Sequence, residues 1–196
     1  RISIINHGDS ILDFEITSFT ELVVGDQNAD VSHRAFYGLF INTMEEDEVL
    51  FAERKPRSSN EEGFTAFETS FVLGNGFGDF QFETDRAKFI GRGRNLLNPN
   101  SVILAKPLFG TTGSVLDPAF IERRNLRINP GSSGVICFIT GIEAISITFL
   151  VNALSKLLMP LSQRIIFSFP PAIIYSALIS SSSKVLAMPL FKRTGF

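Results

Sequence analysis

Between Ile11 and Ser18 the chain alternates strictly, with Leu12, Phe14 and Ile16 apolar and Asp13, Glu15 and Thr17 polar. A period of two puts the apolar members on one face of an extended strand, the other face meeting solvent. Comparable β-rich runs occur at Ile2 to Ile5, Phe19 to Val24, Val49 to Ala52, Phe64 to Leu73, Leu126 to Ile128 and Val135 to Ile139. Turn chemistry separates them at Gly25-Asp26, Asn60 to Gly63, Gly74-Asn75-Gly76 and Asn129-Pro130-Gly131. Helical signals are confined to two short stretches, Ala35 to Phe40 and Asp85 to Ile90, with Thr84 as the expected cap of the second and Asp85 favourable at its positive end. Without long helical crossovers between the strands, the pattern predicts a mainly β protein, an antiparallel β-sandwich with short helices.

The pattern changes near Glu143. Every Asp and Glu lies at or before that residue, whereas Ala144 to Phe196 carries only Lys156, Arg164, Lys184, Lys192 and Arg193 as charges. The late segment is apolar, serine-rich at Ser180 to Ser183, and interrupted by Pro160, Pro170, Pro171 and Pro189. Residues 1–143 are therefore expected to form the sandwich, and 144–196 an irregular or helical apolar tail, disordered or out of frame. The run from Gly134 to Ser155 has the length of a membrane span, but Glu143 lies inside it, so a strand followed by a helix is preferred. The chain opens on Arg1 without an initiating Met, which carries the expectation of a fragment.

Composition narrows the chemistry. A net charge of -2 gives no electrostatic footprint for nucleic acid, and none is expected as a partner. The lone Cys137, between Ile136 and Phe138, is expected to act as a small buried hydrophobe. His7 and His33 have no neighbouring cysteine, so neither a metal site nor a cofactor is expected. The chain has twenty phenylalanines and no tryptophan, which favours rings packed between two sheets over an aromatic sugar platform.

Four segments, in order, resemble the amino-terminal sandwich domain of glycoside hydrolase family 94. These are Glu15 to Val24; Asp30 to Phe36 with Leu39 to Thr43; Phe82-Glu83-Thr84-Asp85-Arg86-Ala87-Lys88-Phe89-Ile90-Gly91-Arg92-Gly93-Arg94; and Gly110 to Pro118, followed by Arg123-Arg124 and Pro130-Gly131. The third is the most specific, similar to the family's E-T-D-R-x-x-F-x-G-R-G-R. Together with Arg54 to Ser58 they favour the cyclic β-1,2-glucan synthase branch over the short-chain phosphorylases. Arg34, where the family usually has proline, and Met44-Glu45-Glu46 depart from the pattern. The resemblance covers residues 1 to 141.

The resemblance implies a supersandwich of the galactose-mutarotase type. It also implies inverting phosphorolysis by an aspartic acid on a separate (α/α)6 barrel, which this chain lacks. No residue here is then catalytic. The intact enzyme would take β-glucan and inorganic phosphate, in β-glucan synthesis and chain-length control at the cytoplasmic face of a bacterial inner membrane, and a homodimer is admitted. Arg92 and Arg94, in a Gly-Arg-Gly-Arg run with an oxyanion-binding flavour, and Arg86 are the candidates for substrate binding or a domain junction. Glu83, Asp85 and Asp117 are assigned structural roles, with Asp85-Arg86 expected as an ion pair at a strand-to-helix corner. Two other classes stay open: a stand-alone carbohydrate-binding sandwich, and a small membrane-associated remnant.

Overall fold

The computed structural model describes residues 1–25, 27–56, 63–74, 79–143 and 190–193. They form an antiparallel β-sandwich. One sheet has the order β1 (Ile2–Ile5), β9 (Ser133–Glu143), β6 (Phe64–Gly74), β5 (Val49–Arg54), β4 (Ile41–Glu46). The other is built around β8 (Pro118–Ile128). Along one edge of β8 lie β2 (Leu12–Thr17) and β3 (Thr20–Glu21) in a single register, Thr17 opposite Arg123 and Thr20 opposite Phe120. Along its other edge runs β7 (Phe80–Asp85), and β10 (Leu190–Arg193) adds to β2. The tail expected from residue 144 onward otherwise lies outside the described residues, as do Asp26, Asn60 and Asn75-Gly76 of the expected turns.

Period-two alternation on β8 places Phe120, Glu122, Arg124, Leu126 and Ile128 between the sheets, and Ala119, Ile121 and Arg123 on the outer face. Two apolar clusters fill the inter-sheet space. One gathers Leu22, Val24, Ile41, Leu50, Ala52, Ala66 and Phe120, with Phe64, Phe80, Phe82 and Ile142 against it. The other gathers Phe14, Ile16, Leu126, Ile128 and Ile136, with Val72 and Phe138 against it. Between them, Ala66 and Val72 on β6 are separated by inward Glu68 and Ser70, just as Phe120 and Leu126 on β8 are separated by Glu122 and Arg124. A polar belt thus crosses the core.

Several expectations need correction. Of Phe19 to Val24, only Thr20–Glu21 is strand, because Phe19 turns into a third cluster outside the sandwich. The run at Leu126 to Ile128 is the end of an eleven-residue strand whose charged Glu122-Arg123-Arg124 centre masks its periodicity. Strand β4 runs into an acidic hairpin with Asp47 and Glu48 both at positive φ (51° and 61°), a turn whose twist suits paired strands. The first helix is α1 (Gln27–Gly38), kinked at His33 and starting before Ala35; its polar opening offers no apolar period to detect. Cys137 on β9 is half-buried, not enclosed.

Candidate functional site

The long connector from β7 to β8 contains the motif singled out from sequence. It opens with α2 (Arg86–Ile90) and includes α3 (Asn100–Ile103). Its inward residues Phe89, Ile90, Leu96, Val102 and Leu108 pack on Phe19, Ala119 and Ile121 of the outer sheet face. Burying a large aromatic such as Phe89 contributes roughly 1.5–3 kcal/mol.

Polar ties add to this packing. Arg123 is 1% exposed beneath it and donates to Thr17 Oγ1 (3.2 Å), to the Lys106 carbonyl (2.7 Å) and to the Ser101 carbonyl (2.8 Å), with Glu15 at 3.8 Å. Burial pulls the Arg123 guanidinium below its usual value and Glu15 pulls it back up; an arginine stays charged regardless. Gln81 Oε1 accepts from the Leu108 amide (3.2 Å), and the Thr84 hydroxyl pairs with Thr43 and donates to the Thr111 carbonyl (both 2.7 Å).

Glu83 is fully buried. Its Oε1 accepts from the Thr84 and Asp85 amides (2.9 and 2.8 Å) and its Oε2 from the Thr111 hydroxyl (3.1 Å). Asp85, not Thr84, caps α2, accepting from the amides of Ala87 and Lys88. Thr84 cannot serve as cap because its hydroxyl is engaged across the sandwich. Nor does Asp85 pair with Arg86: the guanidinium reaches Asp117 at 2.9 Å and Glu21 at 3.5 Å, tying the two ends of the connector to β3. With Asp85 replaced by alanine, the loss is expected to be about 1 kcal/mol, as for other N-caps, measured as a shift in the urea midpoint.

Gly91 ends α2 at φ 81°, and a Cβ there would collide with the Asn100 side chain, so glycine is required for α2 to meet α3. Arg92 and Arg94 follow on the exposed turn, and neither makes an ion pair or hydrogen bond among the described residues. Leu97, Ile103, Leu104 and Phe109, the sequence neighbours of the inward-packed residues, point away from the sheet with exposures from 47% to 74%. From Arg86 to Leu116 the chain carries Arg86, Lys88, Arg92, Arg94 and Lys106 and no carboxylate. The connector thus presents a basic and apolar outer face, while Glu83, Asp85 and Asp117 lie among its anchors.

Residues 1–156 match the family model described as glycosyl hydrolase 94, supersandwich domain. The chain belongs to the glycosyl hydrolase 94 family. The supersandwich match runs past Gly141, where the motif resemblance stops. The chain is also similar to the cyclic beta-(1,2)-glucan synthase NdvB of Rhizobium meliloti (strain 1021), 31% identical over 145 residues. That stretch is 71% of this chain and 5% of the relative, so the supersandwich corresponds to a small part of a much longer protein. Among the described residues no helix is long and apolar enough to cross a membrane.

Sequence reasoning missed Arg123, Glu122, Arg124 and Glu68 as buried groups. Three consecutive charges read as a solvated surface, and Glu68 sits among threonine, serine and phenylalanine with no partner nearby in sequence; only the pairing of sheets encloses them.

Proposed function

We propose that this chain is a non-catalytic supersandwich module of a cyclic β-1,2-glucan synthase or related glycoside phosphorylase, acting in β-glucan synthesis and phosphorolytic chain-length control. The bond-breaking step belongs to a separate (α/α)6 barrel, and β-glucan and inorganic phosphate are ligands of the intact enzyme. The module sits at the cytoplasmic face of a bacterial inner membrane as part of a larger membrane protein. The observation that carries this reading is the fate of the E-T-D-R carboxylates. A general acid must deliver a proton to a leaving oxygen it can reach, whereas Glu83 is enclosed with both oxygens occupied and Asp85 is turned onto a helix end.

Arg92 and Arg94, with the exposed leucines and Phe109, form the face that meets the neighbouring domain. Apolar side chains set among arginines are the composition favoured at protein interfaces. Incubated with a β-1,2-linked glucan and inorganic phosphate, the chain is expected to release no glucose 1-phosphate. Release that follows the chain through purification would overturn the reading. Reversing both charges, Arg92→Glu with Arg94→Glu, is expected to change the stability of the chain by less than about 0.5 kcal/mol, as at surface positions without partners. A loss of several times that size in urea denaturation would mean that these arginines brace the sandwich itself.

A further inference from the structure

The polar belt in the core lies away from the connector and contains two carboxyl groups, one on each sheet. Glu68 on β6 is 1% exposed and takes hydroxyl donors from three directions: Ser18 to Oε1 at 2.8 Å, Thr20 and Thr140 to Oε2 at 2.6 and 3.1 Å. Such donors favour an ionised carboxylate. Glu122 on β8 is completely buried, and neither of its oxygens accepts a hydrogen bond of ordinary geometry. The cation on the same face of β8, Arg124, is already engaged: it donates to the Ser70 hydroxyl and carbonyl (3.0 and 2.9 Å), pairs with Glu48 at 2.9 Å and lies over the Phe80 ring.

Two buried anions facing one committed guanidinium would leave an uncompensated charge in the core, a state that burial strongly disfavours. We propose that the Glu68–Glu122 pair is a proton-holding latch between the two sheets: the sandwich closes with one proton on the pair, carried by Glu122, and loosens across the belt when that proton leaves. The groups facing Glu122 are Glu68 from β6, Arg124 from β8 and Glu48 from the β4–β5 turn. Burial, then the charge of Glu68, push the Glu122 carboxyl up to about 8, and the Ser70 hydroxyl and Arg124 offset only part of this. Burial raises Glu68 as well, against the pull of its three hydroxyls.

The sign follows from proton linkage. A carboxyl raised on folding leaves stability intact below the unfolded value of 4.5 and erodes it up to about 8, because in that window only the folded chain holds the proton. The test uses the full chain, wild type and the variants Glu122→Gln and Glu68→Gln, with infrared detection of the protonated carboxyl band and urea denaturation between pH 5 and 9. The wild type is expected to keep a buried carboxylic-acid band at pH 7 that fades near pH 8 and is missing in Glu122→Gln. Its unfolding constant should rise on the order of hundredfold between pH 5 and 8, while Glu122→Gln, matching the neutral acid in shape, rises far less and becomes the more stable protein at pH 8. Glu68→Gln should move the fading of the band to lower pH. A wild type without the band at pH 7 overturns the latch, a result readable even if a variant fails to fold. So does a Glu122→Gln protein with the wild-type pH slope, or a Glu68→Gln protein with the band unmoved.

Discussion

Replacing Arg123 by alanine is expected to destabilise the chain by about 3–5 kcal/mol, from two charge-assisted hydrogen bonds lost beneath the connector. The substitution orphans the Ser101 and Lys106 carbonyls beneath the connector, each at about 1–3 kcal/mol when no water replaces the donor. It also removes a long aliphatic stem from a packed site. Lysine should recover little, because a single ammonium cannot repeat the forked geometry that reaches two carbonyls and Thr17 at once. Urea denaturation gives the size of the loss, and amide exchange locates it. The Leu108 and Gly110 amides, bonded to Gln81 and to the Phe82 carbonyl, should lose protection first if Arg123 holds the connector down. A variant as stable as the wild type would mean that the apolar packing of Phe89 and Leu108 and the remaining polar ties fix the connector without Arg123.

The second large effect separates structure from catalysis at the motif most open to a glycosidase reading. Glu83→Ala is expected to cost about 3 kcal/mol, since it strands the Thr84 and Asp85 amides in a buried corner and removes the partner of Thr111. Glu83→Gln should cost only about 1 kcal/mol, because the amide oxygen can still accept from both backbone N–H groups and its NH2 can donate to the Thr111 hydroxyl. The two variants are compared by urea midpoint. Equal losses would mean that the negative charge itself is needed in the corner.

How far the sequence could be read differs from element to element. The alternation at Leu12 to Ile16 and the runs at Ile2 to Ile5, Val49 to Ala52 and Phe64 to Leu73 all became strands: a half-buried strand writes its exposure into a period of two, whereas Val49 to Ala52, buried on both faces, shows as a short continuous apolar run. The E-T-D-R segment pointed to its family and to a strand running into a helix at residue 85. Its partners were out of reach: Asp85 and Arg86 are neighbours in sequence, yet one caps the helix and the other crosses to Asp117. In β7, Phe80 and Phe82 face the core while Gln81 and Glu83 face the connector, so both faces are occupied and polarity no longer reports exposure.

Local pattern by itself determined the mainly β character, the family, and the basic turn at Arg92 and Arg94. Those follow from interactions between near neighbours, namely side-chain alternation, turn propensity and a contiguous motif. Tertiary structure alone decided that Glu68 and Glu122 meet within one belt, that Arg123 bonds carbonyls about twenty residues upstream, and that the connector turns Arg86 to β3 while Arg92 and Arg94 stay exposed. These depend on which strands pair and which faces meet, and burial of a charge is set by what folds over it, not by the residues beside it in the chain.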